Sequence, residues 1–196
     1  IRNLYLDTPD FRLIRRSLEK PVYKEKLRLR SYGRADREHP VFMELKKKYR
    51  SIVYKRRLTL PYGRALDCLT GDCPWPETQI GREIGYAMDF YPDLEPRVFL
   101  SYERDSWYAP ESGLRITFDD AIRFRTADLT LDSDLWGTAL LRPDQVLMEL
   151  KAPGAIPLWM VRLLTEMGLY KTSFSKYGTA YQILLEQEYK GGKRYA

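Results

Sequence analysis

Hydrophobic and polar residues alternate with a period of two over several stretches of the chain, the pattern of a β-strand with one buried face. Three consecutive stretches, 22–31, 40–49 and 51–60, are rich in β-branched and aromatic residues. The second and third are predicted to form a tight hairpin. Further strands are predicted over 1–6, 97–108, 114–118, 121–125 and 145–151, with Pro, Gly or acidic turn residues at their limits.

Other segments carry hydrophobic residues at helical spacing. The run from Thr8 to Asp10 has an N-cap residue, a proline and an acid in the order that begins a helix, which is predicted to end before Pro21. Helices are also predicted over 63–69, 78–90, 157–167 and about 175–189. Many antiparallel strands with a few helices predict one α+β domain, built as a sandwich or as a closed barrel.

The size and the start of the chain bear on its organisation. Its 196 residues fit a single domain over 1–196. Because Ile1 already begins a predicted strand, we expect a further segment upstream. No apolar run approaches the roughly 20 residues that span a bilayer, so the sequence predicts a soluble, cytoplasmic protein. A location on the cytosolic face of a membrane would need an anchor or partner outside this chain.

Few residues are suited to nucleophilic or zinc chemistry. Cys68 and Cys73 are too few for a disulfide framework, and no His/Cys cluster surrounds them. They are predicted to be buried or incidental thiols. His39 is the only histidine and lies in a polar stretch. Ser–His and Cys–His nucleophiles and histidine-based zinc sites are therefore not expected.

The charge of the chain is concentrated on particular strand faces. An excess of 33 Lys and Arg over 27 Asp and Glu gives a net charge of +6, which favours anionic partners without choosing among them. Lys24, Lys26, Arg28 and Arg30 alternate along one strand, so all four lie on the same face.

Other strands repeat this arrangement. The sets that share a face are Glu44, Lys46 and Lys48; Lys55 and Arg57; Tyr102 and Arg104; Arg115, Thr117 and Asp119; Arg123 and Arg125; Glu149 and Lys151. A solvated sheet face is one interpretation. Such a face normally mixes signs, however, because like charges on facing strands destabilise a sheet. A channel lined by cations is the other interpretation, and its arginines would suit the oxygens of a phosphate chain.

Ser173, Ser175 and Lys176 lie where the last helix is predicted to begin. The free N–H groups of a helix N-terminus can bind phosphate. A serine that only caps the helix explains Ser175 equally well.

Six segments in order resemble the VTC domain, over nearly the whole chain. They are YKEKLRLRSYG (23–33), VFMELK (41–46), SYER (101–104), LRITFD (114–119), LMELK (147–151) and SFSKY (173–177). VTC domains belong to the triphosphate tunnel metalloenzymes, in which eight antiparallel strands close into a tunnel. The resemblance therefore implies an α+β fold with a closed eight-stranded β-tunnel, surrounding helices and C-terminal helices.

The resemblance also implies an activity. The best-known members make inorganic polyphosphate from ATP with a divalent metal, usually Mn²⁺, for which Mg²⁺ is the alternative. The implied partners are ATP and inorganic polyphosphate, with a membrane-associated partner or anchor outside this chain. The family's first tunnel strand, which carries another basic residue, is expected upstream of Ile1.

By the same resemblance, the residues that would bind phosphate during catalysis are Arg28, Arg30, Lys46, Arg104, Arg115 and Lys176. Further phosphate ligands would be Lys26, Lys55, Lys151 and Ser175, and Glu149 would hold the metal. The sequence departs from the family pattern at Ser173, where the family has a lysine, so this contact is lost or is supplied by Lys171.

Several functions remain open at this point. A polymerase would move the γ-phosphate of ATP onto a growing chain in line, without a protein nucleophile. A tunnel-type triphosphatase would need a base for water, for which Asp119 and Glu44 are candidates. A non-catalytic module would bind polyphosphate or a phospholipid headgroup with little dependence on metal. Nucleic acid is the weaker partner, because evenly spaced Arg and Lys suit bare phosphate better than stacked bases.

Overall fold

The computed structural model describes residues 1–50 and 52–192, with side chains through Tyr189. Its strands are β1 (Arg2–Asp7), β2 (Tyr23–Ser31), β3 (Pro40–Tyr49), β4 (Ile52–Pro61), β5 (Glu95–Ala109), β6 (Leu114–Arg125), β7 (Thr138–Ala139) and β8 (Leu147–Lys151). Its helices are α1 (Arg12–Leu18), α2 (Tyr62–Thr70), α3 (Gln79–Phe90), α4 (Leu158–Glu166) and α5 (Lys176–Gly192). None of these helices is long and apolar enough to cross a membrane.

The strands form one antiparallel sheet in the order β4-β3-β2-β1-β5-β6, with β7 and β8 both paired to β6. The α+β class and the eight-stranded antiparallel sheet are thus as predicted. Closure into a tunnel is not confirmed. Within the described ranges no backbone pairing joins β4 to β7 or β8, so the hydrogen-bonded sheet has two edges.

One face of the sheet packs against α2 and α3. Leu27 and Leu29 of β2 and Met43 and Leu45 of β3 are fully buried there. They occupy alternate positions, as the period of two predicts. Burying these aliphatic side chains contributes about 1.5–3 kcal/mol each, and it orients the intervening polar residues toward the opposite face.

A second core joins β5 and β6 to α1 and α5. Val98, Leu100, Phe124 and Ala180 are buried in it. Asp7, at the end of β1, links both helices to the sheet: it accepts hydrogen bonds from the N–H groups of Leu13 and Ile14 and from the hydroxyl of Tyr177 at 2.8–3.0 Å. Burial raises the pKa of Asp7, despite these donors.

The predicted start of α1 is wrong. The helix begins at Arg12, and the run from Thr8 to Asp10 forms a turn before it. The Thr8 hydroxyl oxygen accepts a hydrogen bond from the backbone N–H of Arg12. Asp7 accepts hydrogen bonds from the next two backbone N–H groups, those of Leu13 and Ile14. The cap is therefore displaced from the helix by a turn that includes Phe11, whose φ is 58°.

The two strands predicted over 114–118 and 121–125 are one strand, β6. A bulge interrupts its pairing with β5 near Ala121, whose φ is 44°. One extra residue reverses which side chains face which side. Arg123 and Arg125 therefore do not share the face of Asp119. The Arg125 guanidinium instead packs over Phe99 at 3.7 Å and donates to backbone carbonyls.

The remaining elements follow the sequence predictions closely. Helices α2 to α5 and strands β2, β3, β5 and β8 lie within a few residues of the predicted limits, whereas the two-residue β7 was not predicted. The predicted start of β4 at Ser51 lies outside the described residues. Cys68 is a buried free thiol, and burial with its neighbour Cys73 raises its pKa to about 11, so it stays protonated.

Candidate functional site

The face of the sheet opposite α2 and α3 is the candidate site, and we call it the basic face. Backbone pairing places its residues side by side on neighbouring strands. From β1 to β4 it includes Asn3, Tyr5, Lys24, Lys26, Arg28, Arg30, Glu44, Lys46, Lys48, Lys55 and Arg57. From β5, β6 and β8 it includes Tyr102, Arg104, Arg115, Thr117, Asp119, Glu149 and Lys151.

The sheet curls so that the basic face lies on its inner side. In a flat sheet, β3 and β8 would lie about 24 Å apart, because five inter-strand spacings separate them. Burial lowers the pKa of Lys46 on β3, yet the charge of Glu149 on β8 acts against this shift. The pKa of Arg104 of β5 is raised mainly by its hydrogen bond with Asp119, and the charge of Glu149 adds to this shift. Lys26 of β2 contacts Ser175, and the next residue, Lys176, contacts Asp119 of β6, so the two sides of the sheet converge on the start of α5.

Glu44 is the centre of the first cluster. The residue is only 1% exposed. Its carboxylate accepts hydrogen bonds from Arg28 Nε and Arg57 Nε at 2.7 Å and pairs with Lys55 Nζ at 2.8 Å. Burial raises the pKa of Glu44, but the surrounding cations outweigh it and lower the pKa to about 2. Glu44 is therefore ionised at neutral pH and neutralises part of the predicted positive charge.

Tyrosine and asparagine side chains orient the arginines of β2. Arg28 donates to the hydroxyl of Tyr5 at 3.0 Å, and Arg30 donates to Asn3 Oδ1 at 2.9 Å and to the hydroxyl of Tyr102 at 3.2 Å. Burial raises the pKa of Tyr5, but Arg28 and Lys26 outweigh it and lower the pKa. Both guanidinium groups are thus fixed before any ligand binds, which reduces the entropy lost on binding.

Asp119 is the centre of the second cluster and is fully buried. Arg104 binds both of its oxygens, with Nε–Oδ1 at 2.5 Å and Nη2–Oδ2 at 2.7 Å. Lys176, the first residue of α5, also donates to Oδ2. Burial raises the pKa of Asp119, but these hydrogen bonds outweigh it and lower the pKa.

Lys26 lies between the two clusters and contacts the start of α5. Its Nζ donates to Ser175 Oγ at 3.0 Å. Burial lowers the pKa of Lys26. Ser175 also accepts from the N–H of Gly178 at 3.2 Å, so it caps the helix. Helix capping and phosphate binding by Ser175 are therefore compatible, because the exposed capping hydroxyl lies next to the basic side chain of Lys26.

Glu149, Lys151 and Arg115 lie at the rim. Glu149 pairs with Lys151 at 3.1 Å, and their side chains are 45% and 59% exposed. Arg115 is exposed and lies beside Lys151 in the pairing of β6 with β8. Thr117 is paired with Glu149 across the same two strands, yet it is buried and its Oγ1 has no hydrogen-bond partner.

The acids of the basic face differ in their availability for a metal. Glu44 and Asp119 are each already bound by several cations, whereas Glu149 has a half-exposed ion pair that costs little to break. In the part of the chain that the structure describes, no three His, Cys, Asp or Glu residues form a metal-binding group. Glu149 nevertheless fits the usual mode of Mg²⁺, which takes one or two carboxylates and completes its shell with water and phosphate oxygens.

Neither buried acid suits the role of a general base. Both carboxylates have lowered pKa values, and a base is most effective when its pKa lies near the working pH. Glu44 and Asp119 are better explained as counter-ions for the cations around them. This arrangement gives no support to the triphosphatase hypothesis.

Sequence reasoning missed the neutral and aromatic part of the site. Asn3 and Tyr5 orient Arg28 and Arg30, and their alternation on β1 was a usable signal. Arg57 shares its face with Lys55 and binds Glu44. The unpaired hydroxyl of Thr117 could not be foreseen, because it depends on which partners its neighbours choose.

Comparison with known protein families gives one match. The model of the VTC domain matches residues 1–185. The chain belongs to the VTC domain family. This places it among tunnel enzymes that bind polyphosphate or triphosphate.

Two further comparisons add little to the VTC family match. No curated protein shows significant similarity to the chain. Among solved structures, a protein of Bacillus halodurans described as a candidate adenylate cyclase aligns with a TM-score of 0.47 and 15% identity. The alignment covers 89% of this chain and 77% of that one.

Proposed function

We propose that this domain is a polyphosphate polymerase, which transfers the γ-phosphate of ATP to a growing inorganic polyphosphate chain on the basic face. The proposal rests on one observation: basic side chains from five different elements lie on the same inner face of the sheet. Arg28, Lys46, Lys55, Arg104 and Lys176 come from β2, β3, β4, β5 and α5. A low-dielectric wall around such a surface concentrates the field on a polyanion.

The side chains of the basic face would bind and position the reacting phosphates. Arg28 and Arg30 are held in fixed orientations by Tyr5, Asn3 and Tyr102, so they can bind phosphate oxygens without reorganising. Lys46 and Lys26 add charge that no described carboxylate pairs with. Arg104 and Lys176 would bind the opposite side of the chain. Phosphoryl transfer depends mainly on such positioning and charge neutralisation, so it requires no protein nucleophile.

A divalent metal fits at Glu149. When bound, Mn²⁺ or Mg²⁺ would neutralise the charge that develops on the phosphate oxygens. Arg115 and Lys151, which lie beside Glu149, would bind phosphate at the rim. Release of Glu149 from Lys151 breaks only an exposed ion pair, worth about 0–1 kcal/mol, so exchange of the lysine for a metal would cost little.

The partners follow from the same surface. ATP and inorganic polyphosphate are the proposed ligands, and the proposed location is the cytoplasm, where ATP is abundant. A membrane-associated partner or anchor would belong to segments outside this chain. Nucleic acid is not a proposed partner.

The decisive experiment is incubation of the protein with ATP and Mn²⁺, followed by electrophoresis and staining for polyphosphate. We expect a ladder of polymer that disappears when the metal is chelated. Release of orthophosphate without polymer would identify a triphosphatase. Binding of preformed polyphosphate without turnover would identify a non-catalytic module.

A variant tests the metal site directly. Glu149→Gln keeps the shape but removes the charge that a hard cation prefers. We expect polymer synthesis to fall by more than about a hundredfold, beyond the usual effect of losing an outer partner of a metal ligand. Preformed polyphosphate should still bind. Glu103→Gln, on the opposite face of β5 next to Arg104, is the matched control and should keep full activity. Normal Mn²⁺-dependent synthesis by Glu149→Gln would remove this residue from the mechanism.

A further inference from the structure

The two cysteines of the chain lie side by side at the end of α2. The Sγ atoms of Cys68 and Cys73 are 2.9 Å apart, and both thiols are free. A disulfide has an S–S distance of about 2.05 Å, so the two sulfurs need to approach by less than about 1 Å to form a bond. Helix α2 packs against the face of the sheet opposite the basic face, so the proposed function does not use this pair.

The chain folds back after α2 and brings the two thiols together. Gly71 follows the last residue of the helix with a φ of 86°, the left-handed region that favours glycine. The carbonyl of Asp67 then accepts from three successive backbone N–H groups, those of Gly71, Asp72 and Cys73. These hydrogen bonds hold Cys73 against the last turn of the helix, where Cys68 lies.

The two thiols differ in their access to solvent. Cys68 is only 5% exposed, whereas Cys73 is half-buried in the loop after the helix. Burial raises the pKa of Cys68 to about 11, and the hydrogen bond and charge of Cys73 add to this rise, while Arg64 opposes it. Thiol–disulfide exchange needs a thiolate that the oxidant can reach. Cys73 is therefore the thiol that meets an oxidant first.

We propose that Cys68 and Cys73 form a redox modification site, at which a small-molecule disulfide of the glutathione class oxidises the two thiols to an intramolecular disulfide. The Cys73 thiolate attacks one sulfur of the oxidant and releases one small thiol. Cys68 then attacks Cys73 Sγ as a thiolate and releases the second small thiol. Two electrons pass to the oxidant, and the protons of the two cysteines pass to the two released thiols.

The first step prepares Cys68 for the second. In the mixed disulfide, Cys73 has neither a thiol proton nor a thiolate charge, so two of the causes that raise the pKa of Cys68 are removed. Arg64, which lowers this pKa, remains beside it. The short distance between the sulfurs also makes this attack intramolecular, which favours ring closure over release of the adduct.

The disulfide would fix the connection between α2 and α3. Both helices pack in the same core, α2 through Tyr62 and Ala65 and α3 through Ile84 and Ala87. A cross-link restricts the unfolded chain, so oxidation should stabilise the domain from the side opposite the basic face. In the proposed cytoplasmic location, cellular thiols would reverse the bond, which suits a sensor rather than a permanent structural link.

The test is incubation of the reduced protein with oxidised glutathione, followed by mass spectrometry and thiol titration after unfolding. We expect the wild type to lose two hydrogen atoms and both titratable thiols, without bound glutathione and without disulfide-linked dimers. Dithiothreitol should restore both thiols. The Tm of the oxidised protein should exceed that of the reduced protein by about 4 °C or more, given the short ring and the size of the domain.

The two single variants are matched, because each keeps one thiol of the pair. Cys68→Ala keeps the accessible thiol and should accumulate one bound glutathione on Cys73. Cys73→Ala keeps the buried thiol and should react about tenfold more slowly than Cys68→Ala. Oxidised glutathione should raise the Tm of neither variant.

Three outcomes would overturn the inference. One is a wild type that retains glutathione on Cys73, and another is a wild type that keeps both thiols free while Cys68→Ala takes up glutathione. The third is oxidation to disulfide-linked dimers, which would make Cys73 an intermolecular site. The wild-type protein alone distinguishes ring closure from a retained adduct and from dimers, even where a variant folds poorly.

Discussion

Glu44 and Asp119 are both buried carboxylates with lowered pKa values, but they stabilise different parts of the molecule. The cations around Glu44 all come from β2 and β4, on either side of its own strand. Asp119 binds Arg104 of β5 and also Lys176 of α5. The first cluster therefore stabilises one half of the sheet, and the second joins a helix to the other half. Glu149, which is exposed and has one partner, is the acid that remains available for a ligand.

The largest expected effect is that of Glu44→Gln. The amide leaves Arg28, Lys55 and Arg57 without their counter-ion, and breaking a buried ion pair from one side typically costs about 3–5 kcal/mol. Urea unfolding measured at neutral pH tests this expectation. Glu38→Gln, in an exposed loop, is the control and should change stability by less than about 0.5 kcal/mol. A loss no larger than that of the control would show that the arginines find other partners.

The pH dependence of stability gives an independent measure of the Glu44 cluster. The pKa of Glu44 is about 2 in the folded protein, against 4.5 as its ordinary value. A carboxylate with a lowered pKa contributes stability above its unfolded pKa and loses it as the pH falls toward its folded pKa. The shift corresponds to about 3 kcal/mol. The difference in stability between wild type and Glu44→Gln should therefore shrink from about pH 5 to pH 2. A difference that stays constant over this range would mean that the carboxylate titrates normally.

Asp119→Asn should have a smaller effect on stability and a different local signature. It affects two cations, whereas Glu44 pairs with four, so we expect a loss of about 2–3 kcal/mol. Because Lys176 begins α5, amide hydrogen exchange should increase at the start of α5 in this variant and not in Glu44→Gln. Asp120→Asn, an exposed neighbour, is the control. Equal protection of α5 in both variants would contradict the distinction between the clusters.

The sequence predicted most of the elements because their hydrophobic periodicity is strong. Leu27, Leu29, Met43 and Leu45 alternate with charged residues, and the structure buries all four. This alternation also predicted which charged residues share a face, from β2 to β5. In β6 each predicted set shares a face, but a bulge at Ala121 places Arg123 and Arg125 on the face opposite Asp119, away from the expected channel. A bulge depends on pairing with β5, which local sequence does not specify.

The partners of the charged residues were harder to predict than their positions. The sequence placed Glu44 on the basic face, but not the convergence of Arg28, Arg57 and Lys55 on it. It suggested an anionic ligand for a surface that Glu44 and Asp119 already neutralise in part. Which charges remain unpaired depends on side-chain geometry across strands, and this geometry appears only in the folded structure.

The smallest expected effect is that of Thr117→Val, which tests the region between Asp119 and Glu149. Thr117 Oγ1 is buried without a hydrogen-bond partner, and such a group typically costs about 1–3 kcal/mol. Valine keeps the β-branched shape and removes this cost. We expect stability to rise by about 1 kcal/mol, which for a domain of this size is an increase of about 2–4 °C in Tm.

The outcome also shows what the hydroxyl of Thr117 contributes to the site. Thr117→Ser, which keeps the hydroxyl but loses a buried methyl group, is the control and should lower Tm. If the hydroxyl serves the ligand at Glu149, Thr117→Val should gain stability and lose affinity for Mn²⁺ and triphosphate together, while Thr117→Ser keeps that affinity. A Tm of Thr117→Val below that of the wild type would mean that the hydroxyl is satisfied in solution, by water or by Glu149. Thr117 would then give no evidence for a ligand at Glu149, and the contrast between Glu149 and the two buried acids would rest on the exposure of Glu149 alone.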